Sequence, residues 1–144
     1  MAIKFYKERE QPYGCFSNFS KHGFQSDGKP WQTVEHYFQA QKFPGTAHVE
    51  AIRLAPAPMT AKNMGNTRDF PLRPDWNAAK DDVMRRAVRA KFEQHEDIRA
   101  VLLGTGGAEL IEAAPNDYYW GCGADGTGQN RLGKILVEVR EALR

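Results

Sequence analysis

Cysteine is scarce and widely spaced: Cys15 and Cys122 are the only two in 144 residues. Neither belongs to a C-x-x-C pair, which argues against a zinc ribbon or dithiol centre, and a reducing compartment would leave them unbridged. Both are expected to be buried as small hydrophobes. Among the four histidines, His22, His36, His48 and His95, there is no H-x-x-x-H spacing, so neither a metal site nor a cofactor is expected. Long apolar runs are missing, and the start, MAIKFYKERE, is charged within a few residues, unlike a secretory signal. A cytoplasmic location with no membrane partner is expected. Charge of one sign is lacking too. Twenty Lys and Arg face eighteen Asp and Glu, a formal net charge of +2, too small and too dispersed to demand a nucleic-acid partner. Lys80, Arg85, Arg86, Arg89 and Lys91 could form one local basic face or simply a solvated helix surface. Internal repeats and low-complexity tracts are absent. At this length one domain over 1–144 is the economical arrangement, with enough core to need no staple.

What is present centres on Trp31 to Phe43, WQTVEHYFQAQKF. Read as a helix at about 100° per residue, the seven steps from Glu35 to Lys42 return to within roughly 20° of one direction. A carboxylate and an amine then share a stripe, with Gln39 between them. Val34, Tyr37, Phe38 and Phe43 supply the apolar flank that packs. One flank can pack while the other does chemistry; the alternative is a solvated charge pair beside a core helix.

The remaining organisation is helix and loop with few strands. Ile3 to Tyr6 reads as an opening strand, and Gln11 to Ser20 as a turn-rich stretch whose three aromatics must pack. A helix from about Thr46 to Leu54 follows the Pro44-Gly45 break. Thr60 is expected to cap a short helix ending at Gly65 or Asn66. The longest helix is expected over about Asp75 to His95, with Trp76, Ala79, Val83, Ala87, Ala90 and Phe92 inward. Ile98 to Leu103 continues in helical spacing, and Glu109 to Ala113 is short enough for a strand. Asn116 to Gly128 is too glycine-rich for a helix and too aromatic for a flexible linker, so it should be ordered. It leads into a helix over Asn130 to Leu143, whose unsatisfied amides and positive dipole end could receive a phosphate. It matches neither a Walker A nor a dinucleotide fingerprint, so a tight turn is the alternative.

Taken in order, these landmarks resemble the NADAR family, also called YbiA-like, along nearly the whole chain. They are S-N-F at Ser17 to Phe19, W-x-T-x-E-H-Y-x-Q-A-x-K-F at Trp31 to Phe43, A-K-x-x-G at Ala61 to Gly65 and R-x-D-W at Arg73 to Trp76. K-F at Lys91-Phe92, L-x-x-T-G at Leu102 to Gly106, D-x-x-W-G at Asp117 to Gly121 and G-x-N-x-L-G at Gly128 to Gly133 complete the set. No one of them is diagnostic, but eight in the right order are.

The resemblance implies an α+β, helix-rich single domain with a few short strands that cleaves N-glycosidic bonds. Its associated substrates are ADP-ribosylated guanine in DNA or RNA and the small phosphorylated ribosylamines of early riboflavin synthesis. In both, ribose C1 is joined to an exocyclic amine of a guanine-like pyrimidinone. Such glycosylamines open to an imine that a lysine can intercept. Guided by the family, Lys42 is cast as nucleophile and Glu35 as proton shuttle; direct hydrolysis, with Glu35 as base and Lys42 holding a phosphate or hydroxyl, stays open. Ser17 and Asn18 would contact ribose or phosphate. Trp76 or Trp120 would stack a base or wall the pocket, Trp76 being core otherwise. Gly128 belongs to the candidate phosphate loop, and Asp117 and Asn130 would bond ribose hydroxyls or the pyrimidinone edge, or else cap turns. Arg68 and Lys62 could steer phosphate. A non-catalytic ADP-ribose-binding module is the least favoured function, and no obligate protein partner is inferred.

Overall fold

In the computed structural model, which describes residues 1–144, the chain opens with strand β1 (Ala2–Phe5) and a 3-10 turn (Tyr13–Phe16). A hairpin of β2 (Phe24–Ser26) and β3 (Lys29–Trp31) follows. Next come helices α1 (Val34–Ala40), α2 (His48–Arg53), α3 (Pro58–Gly65), α4 (Trp76–Gln94) and α5 (Glu96–Gly104), then strand β4 (Glu109–Glu112) and helix α6 (Arg131–Ala142). This is the expected helix-rich α+β class. The backbone divides into two compact units, 1–20 with 92–144, and 21–91. No helix is long and apolar enough to cross a membrane.

In the first unit β1 pairs in parallel with β4, Ile3 opposite Leu110 and Phe5 opposite Glu112. The alternation of β1 turns Ile3 and Phe5 inward, as a period of two requires. Leu110 is fully buried, and so is the α6 stripe of Leu132, Ile135, Leu136 and Val139. The aromatics of the turn-rich stretch do pack: Phe16 meets Phe5 edge-on at 5.6 Å and stacks on Tyr13 at 5.6 Å. Arg140 is buried yet satisfied, its Nη1 donating to Thr105 Oγ1 at 3.0 Å and to the Ala108 carbonyl at 2.8 Å. Both cysteines are free; Cys15 is buried, whereas Cys122 is only half-buried.

The second unit corrects several expectations. Trp31 closes the β2–β3 hairpin instead of opening a helix, its turn residues Asp27 and Gly28 both at positive φ, 55° and 76°. Two consecutive left-handed residues are what a two-residue hairpin turn requires. Thr33 then caps α1, its hydroxyl accepting from the His36 amide at 3.1 Å. The helix proper ends at Ala40, before Lys42. Helix α3 begins at Pro58, in the first-turn position that tolerates a missing N–H, so Thr60 is not its cap. Of the residues expected inward on α4, Trp76, Val83, Ala87 and Phe92 are buried and Ala79 and Ala90 half-buried, while Met84, Val88 and Lys91 are buried as well. With Lys91 only 1% exposed, the basic face imagined along α4 loses one of its five members to the core.

His36 ties α1 to the loop after α2. Its Nε2–H donates to the Ala55 carbonyl at 3.0 Å, which leaves Nδ1 to accept from the Thr33 hydroxyl at 2.8 Å. That is the neutral tautomer, and burial pushes its pKa below 6.5, the Ala55 bond opposing this. Because the folded pKa is depressed, the unfolded chain binds the proton more readily in that window. The stability is full above about pH 6.5 and is lost as pH falls through the folded pKa. Thermal melting should therefore fall between about pH 7.5 and pH 5, and His36→Gln should flatten that dependence; an unchanged slope would remove His36 as its source.

Candidate active site

Glu35 lies in the first turn of α1, and Gln39 one turn later, 7% and 5% exposed. Residues at i and i+4 face each other on a helix, and Gln39 Nε2 donates to Glu35 Oε2 at 2.7 Å. The carboxylate is thus held by a buried, charge-assisted bond. Lys42 lies past the helix cap. Its amide bonds to the Gln39 carbonyl at 3.3 Å and that of Phe43 to the Ala40 carbonyl at 3.1 Å, a tight i−3 turn that continues the spiral. The Lys42 ammonium donates to the Gly65 carbonyl at 3.3 Å and stands 6.0 Å from the Phe38 ring centroid and 5.9 Å from that of Trp76. Burial among these groups holds its pKa below the ordinary lysine value; the Glu35 carboxylate pulls it up, and Lys80 pushes it down. The net direction is the one an amine nucleophile needs.

A cleft of about 480 Å³ opens beside the amine, with Lys42, Gly65, Arg68, Phe70, Leu72 and Trp76 among its walls. Trp76 is 7% exposed and tilts against Phe38 at 5.0 Å, so it is core and cleft wall at once. The wall segment before α4 is pinned to the turn after α1: the Arg73 amide donates to the Lys42 carbonyl at 3.0 Å. Arg73 also grips Asp75 through two bonds of 2.6 and 2.9 Å. On the other flank His48 Nε2 donates to the Met64 carbonyl at 2.8 Å while its ring stacks on Phe70 at 4.5 Å. Arg68 is exposed.

Glu35, Lys42 and Trp76 all belong to the unit 21–91, where Lys42 links the other two. Ser17, Asn18, Asp117, Trp120, Gly128 and Asn130 belong to the other unit. Ser17 is buried and its hydroxyl accepts from the Phe19 amide at 3.1 Å; Asn18 and Trp120 are half-buried, Trp120 edge-on to Tyr119 at 4.8 Å. Asp117 Oδ1 caps a turn, accepting from the amides of Tyr119 and Trp120 at 3.0 and 2.8 Å. The Asn130 side chain accepts from the Glu112 amide at 3.0 Å and donates to the Leu110 carbonyl at 2.9 Å, standing in for a neighbouring strand on the free edge of β4.

The expectation of open amides at the start of α6 is overturned. The amides of Asn130, Arg131 and Leu132 bond to the carbonyls of Gly121, Tyr119 and Trp120 at 3.0, 3.0 and 3.1 Å. Gly128 closes the same loop, where a Cβ would stand 2.4 Å from the Gly121 oxygen. Loop and helix start consume each other's polar groups, so no ring of free donors waits there for a phosphate.

A family model described as the NADAR domain matches residues 4–144. The chain belongs to the NADAR family. It is 52% identical over 141 residues to the N-glycosidase YbiA of Escherichia coli (strain K12), covering 98% of this chain and 88% of that protein. It is 42% identical over 156 residues to the Riboflavin biosynthesis protein PYRR, chloroplastic, of Zea mays, covering 98% of this chain but 25% of that one. The NMR structure of E. coli YbiA matches with a TM-score of 0.91 at 51% identity, over 99% of this chain and 84% of that chain. Three NADAR landmarks meet at the site. The α1 motif carries Glu35, Gln39 and Lys42; A-K-x-x-G brings Gly65 against Gln39; R-x-D-W supplies the Arg73–Asp75 clamp and Trp76. In the sequence Gly65 was visible as a helix stop and as the glycine of A-K-x-x-G, with nothing to mark its approach to Gln39.

Proposed function

We propose that this NADAR protein is an N-glycosidase that removes ADP-ribose from guanine, with Lys42 as nucleophile and Glu35 as acid and base. One observation carries the chemistry: burial draws the Lys42 amine below its ordinary pKa in a cleft wall where the carboxylate of Glu35, on the helix just before it, acts on it. The ribosylamine opens to an imine, and neutral Lys42 adds to ribose C1. Glu35 protonates the departing exocyclic amine as its bond to C1 breaks, leaving an imine between C1 and Lys42 Nζ. Water activated by the Glu35 carboxylate then adds to C1, and collapse releases the sugar aldehyde and the free lysine. Direct hydrolysis, with Lys42 as a fixed cation, is the competing route, and a depressed lysine pKa argues against it. The presence of both Glu35 and Lys42 disfavours a purely binding module.

The cleft volume lies in the range of small-molecule sites, and the exposed Arg68 guanidinium in its wall suits a phosphate. Ser17, Asn18, Asp117, Trp120, Gly128 and Asn130 are proposed as ligand contacts of their own unit, 1–20 with 92–144. A second reading, hydrolysis of a small ribosylamino pyrimidine phosphate, is favoured by the name of the maize relative and by the spent amides at the start of α6. At equal concentrations, ADP-ribose should raise the melting temperature more than ribose 5-phosphate does, since protection grows with concentration over dissociation constant. Turnover of an ADP-ribosylated guanine oligonucleotide should exceed that of the ribosylamino phosphate. Preference for the small phosphate in both assays would assign the metabolic reaction.

A further inference from the structure

The hydrogen bond on Glu35 comes from Gln39, whose carboxamide is in turn seated against Gly65. Gln39 Nε2 is spent on the carboxylate. Its Oε1 is buried with no hydrogen-bond partner and lies against Gly65, where a Cβ would stand 1.9 Å from that oxygen and 2.6 Å from the amide carbon. The backbone of Gly65 does not call for glycine. It is the last residue of α3, Asn66 follows as the cap at φ −94°, and Gly65 is not among the glycines with positive φ. Any L-residue could adopt that conformation; what excludes a side chain is the carboxamide beside it. The Gly65 carbonyl meanwhile accepts from Lys42.

We propose that Gly65 and Gln39 are positioning residues for Glu35: the bare α-carbon of Gly65 seats the Gln39 carboxamide, and that seat aims its N–H at the carboxylate. The inference rests on Glu35 being the acid and base proposed above. A buried acceptor left without a donor is costly, and an amide free to turn would offer it one. The packing against Gly65 fixes the carboxamide in the orientation that serves Glu35. Filling the seat with a methyl group swings Gln39 away and removes its hydrogen bond from the carboxylate, although neither substituted residue reacts.

The test compares Gln39→Ala, Gly65→Ala and the double variant with the wild-type chain. Each single change should lower kcat on the order of 10²-fold, the scale of a small misplacement at a reacting group, with KM little changed. The double variant should be no slower than Gln39→Ala, because coupled residues do not add. The ¹³C resonance of the Glu35 carboxylate, assigned by its loss in Glu35→Gln, should move in both single variants with no substrate present. That arm judges the seat even if the wild-type chain turns over neither substrate, which would sink the glycosidase reading alone. Additive losses, a loss confined to KM, or an unmoved Glu35 resonance would overturn the proposal. If Gly65→Ala does not fold, Gln39→Met decides, since it keeps the size and loses the N–H; wild-type kcat with an unmoved resonance there would reject it.

Discussion

Glu35→Gln should lower turnover by roughly 10²- to 10⁴-fold, the range of a lost general acid or base, while melting temperature and ligand binding should stay close to wild type. The amide keeps the shape of the carboxylate, and its oxygen can still accept from Gln39 Nε2, which now reaches Glu35 Oε2 at 2.7 Å. Folding therefore has little to lose. The change also removes the negative charge that raises the Lys42 pKa, so more of the lysine is neutral in the variant. A slow Glu35→Gln enzyme cannot be explained by a lysine held protonated, and the loss falls on proton transfer to the leaving amine or from the attacking water. Single-turnover rates on the preferred substrate, with melting curves as the control, measure it. A rate near wild type would remove Glu35 as the acid and base.

How far the sequence revealed this site depended on the range of the interactions. The stripe of Glu35, Gln39 and Lys42 was legible because helical periodicity is local, and the tight turn after Ala40 preserved it although the helix itself stops short of Lys42. The long α4 and amphipathic α6 were legible for the same reason. The β2–β3 hairpin was missed: three-residue strands with Pro30 inside give no alternation to detect, and Asp27-Gly28 was the sole local signal. The pairing of β1 with β4 joins segments about a hundred residues apart, beyond any local pattern. Gly65 was read as a helix stop because glycine commonly is one, and α3 does end there; its close approach to the Gln39 carboxamide had no local signal. The glycine loop misled in the opposite sense: its place before a helix start suggested open amides, whereas its own carbonyls occupy them in the tight-turn arrangement that was the alternative.

Lys42→Arg should lower turnover by more than about 10³-fold, as loss of a nucleophile does, although it keeps the positive charge beside Phe38 and Trp76. A guanidinium cannot deprotonate within the working range, so the variant separates a fixed cation from a neutral amine. Direct hydrolysis with Lys42 as an electrostatic anchor would tolerate arginine better. In the wild-type chain kcat/KM should rise with pH as Lys42 loses its proton, with a midpoint below 10.5 because burial lowers the folded pKa. Lys80 contributes to that lowering, so Lys80→Met should move the limb to higher pH and leave the plateau rate in place. Borohydride added during turnover should reduce the C1–Nζ imine to a stable secondary amine, and peptide mapping should find the sugar-derived adduct on Lys42 and none in Lys42→Arg. An active enzyme that yields no adduct, with a limb indifferent to Lys80, would assign the attack to water and leave Lys42 to hold the substrate.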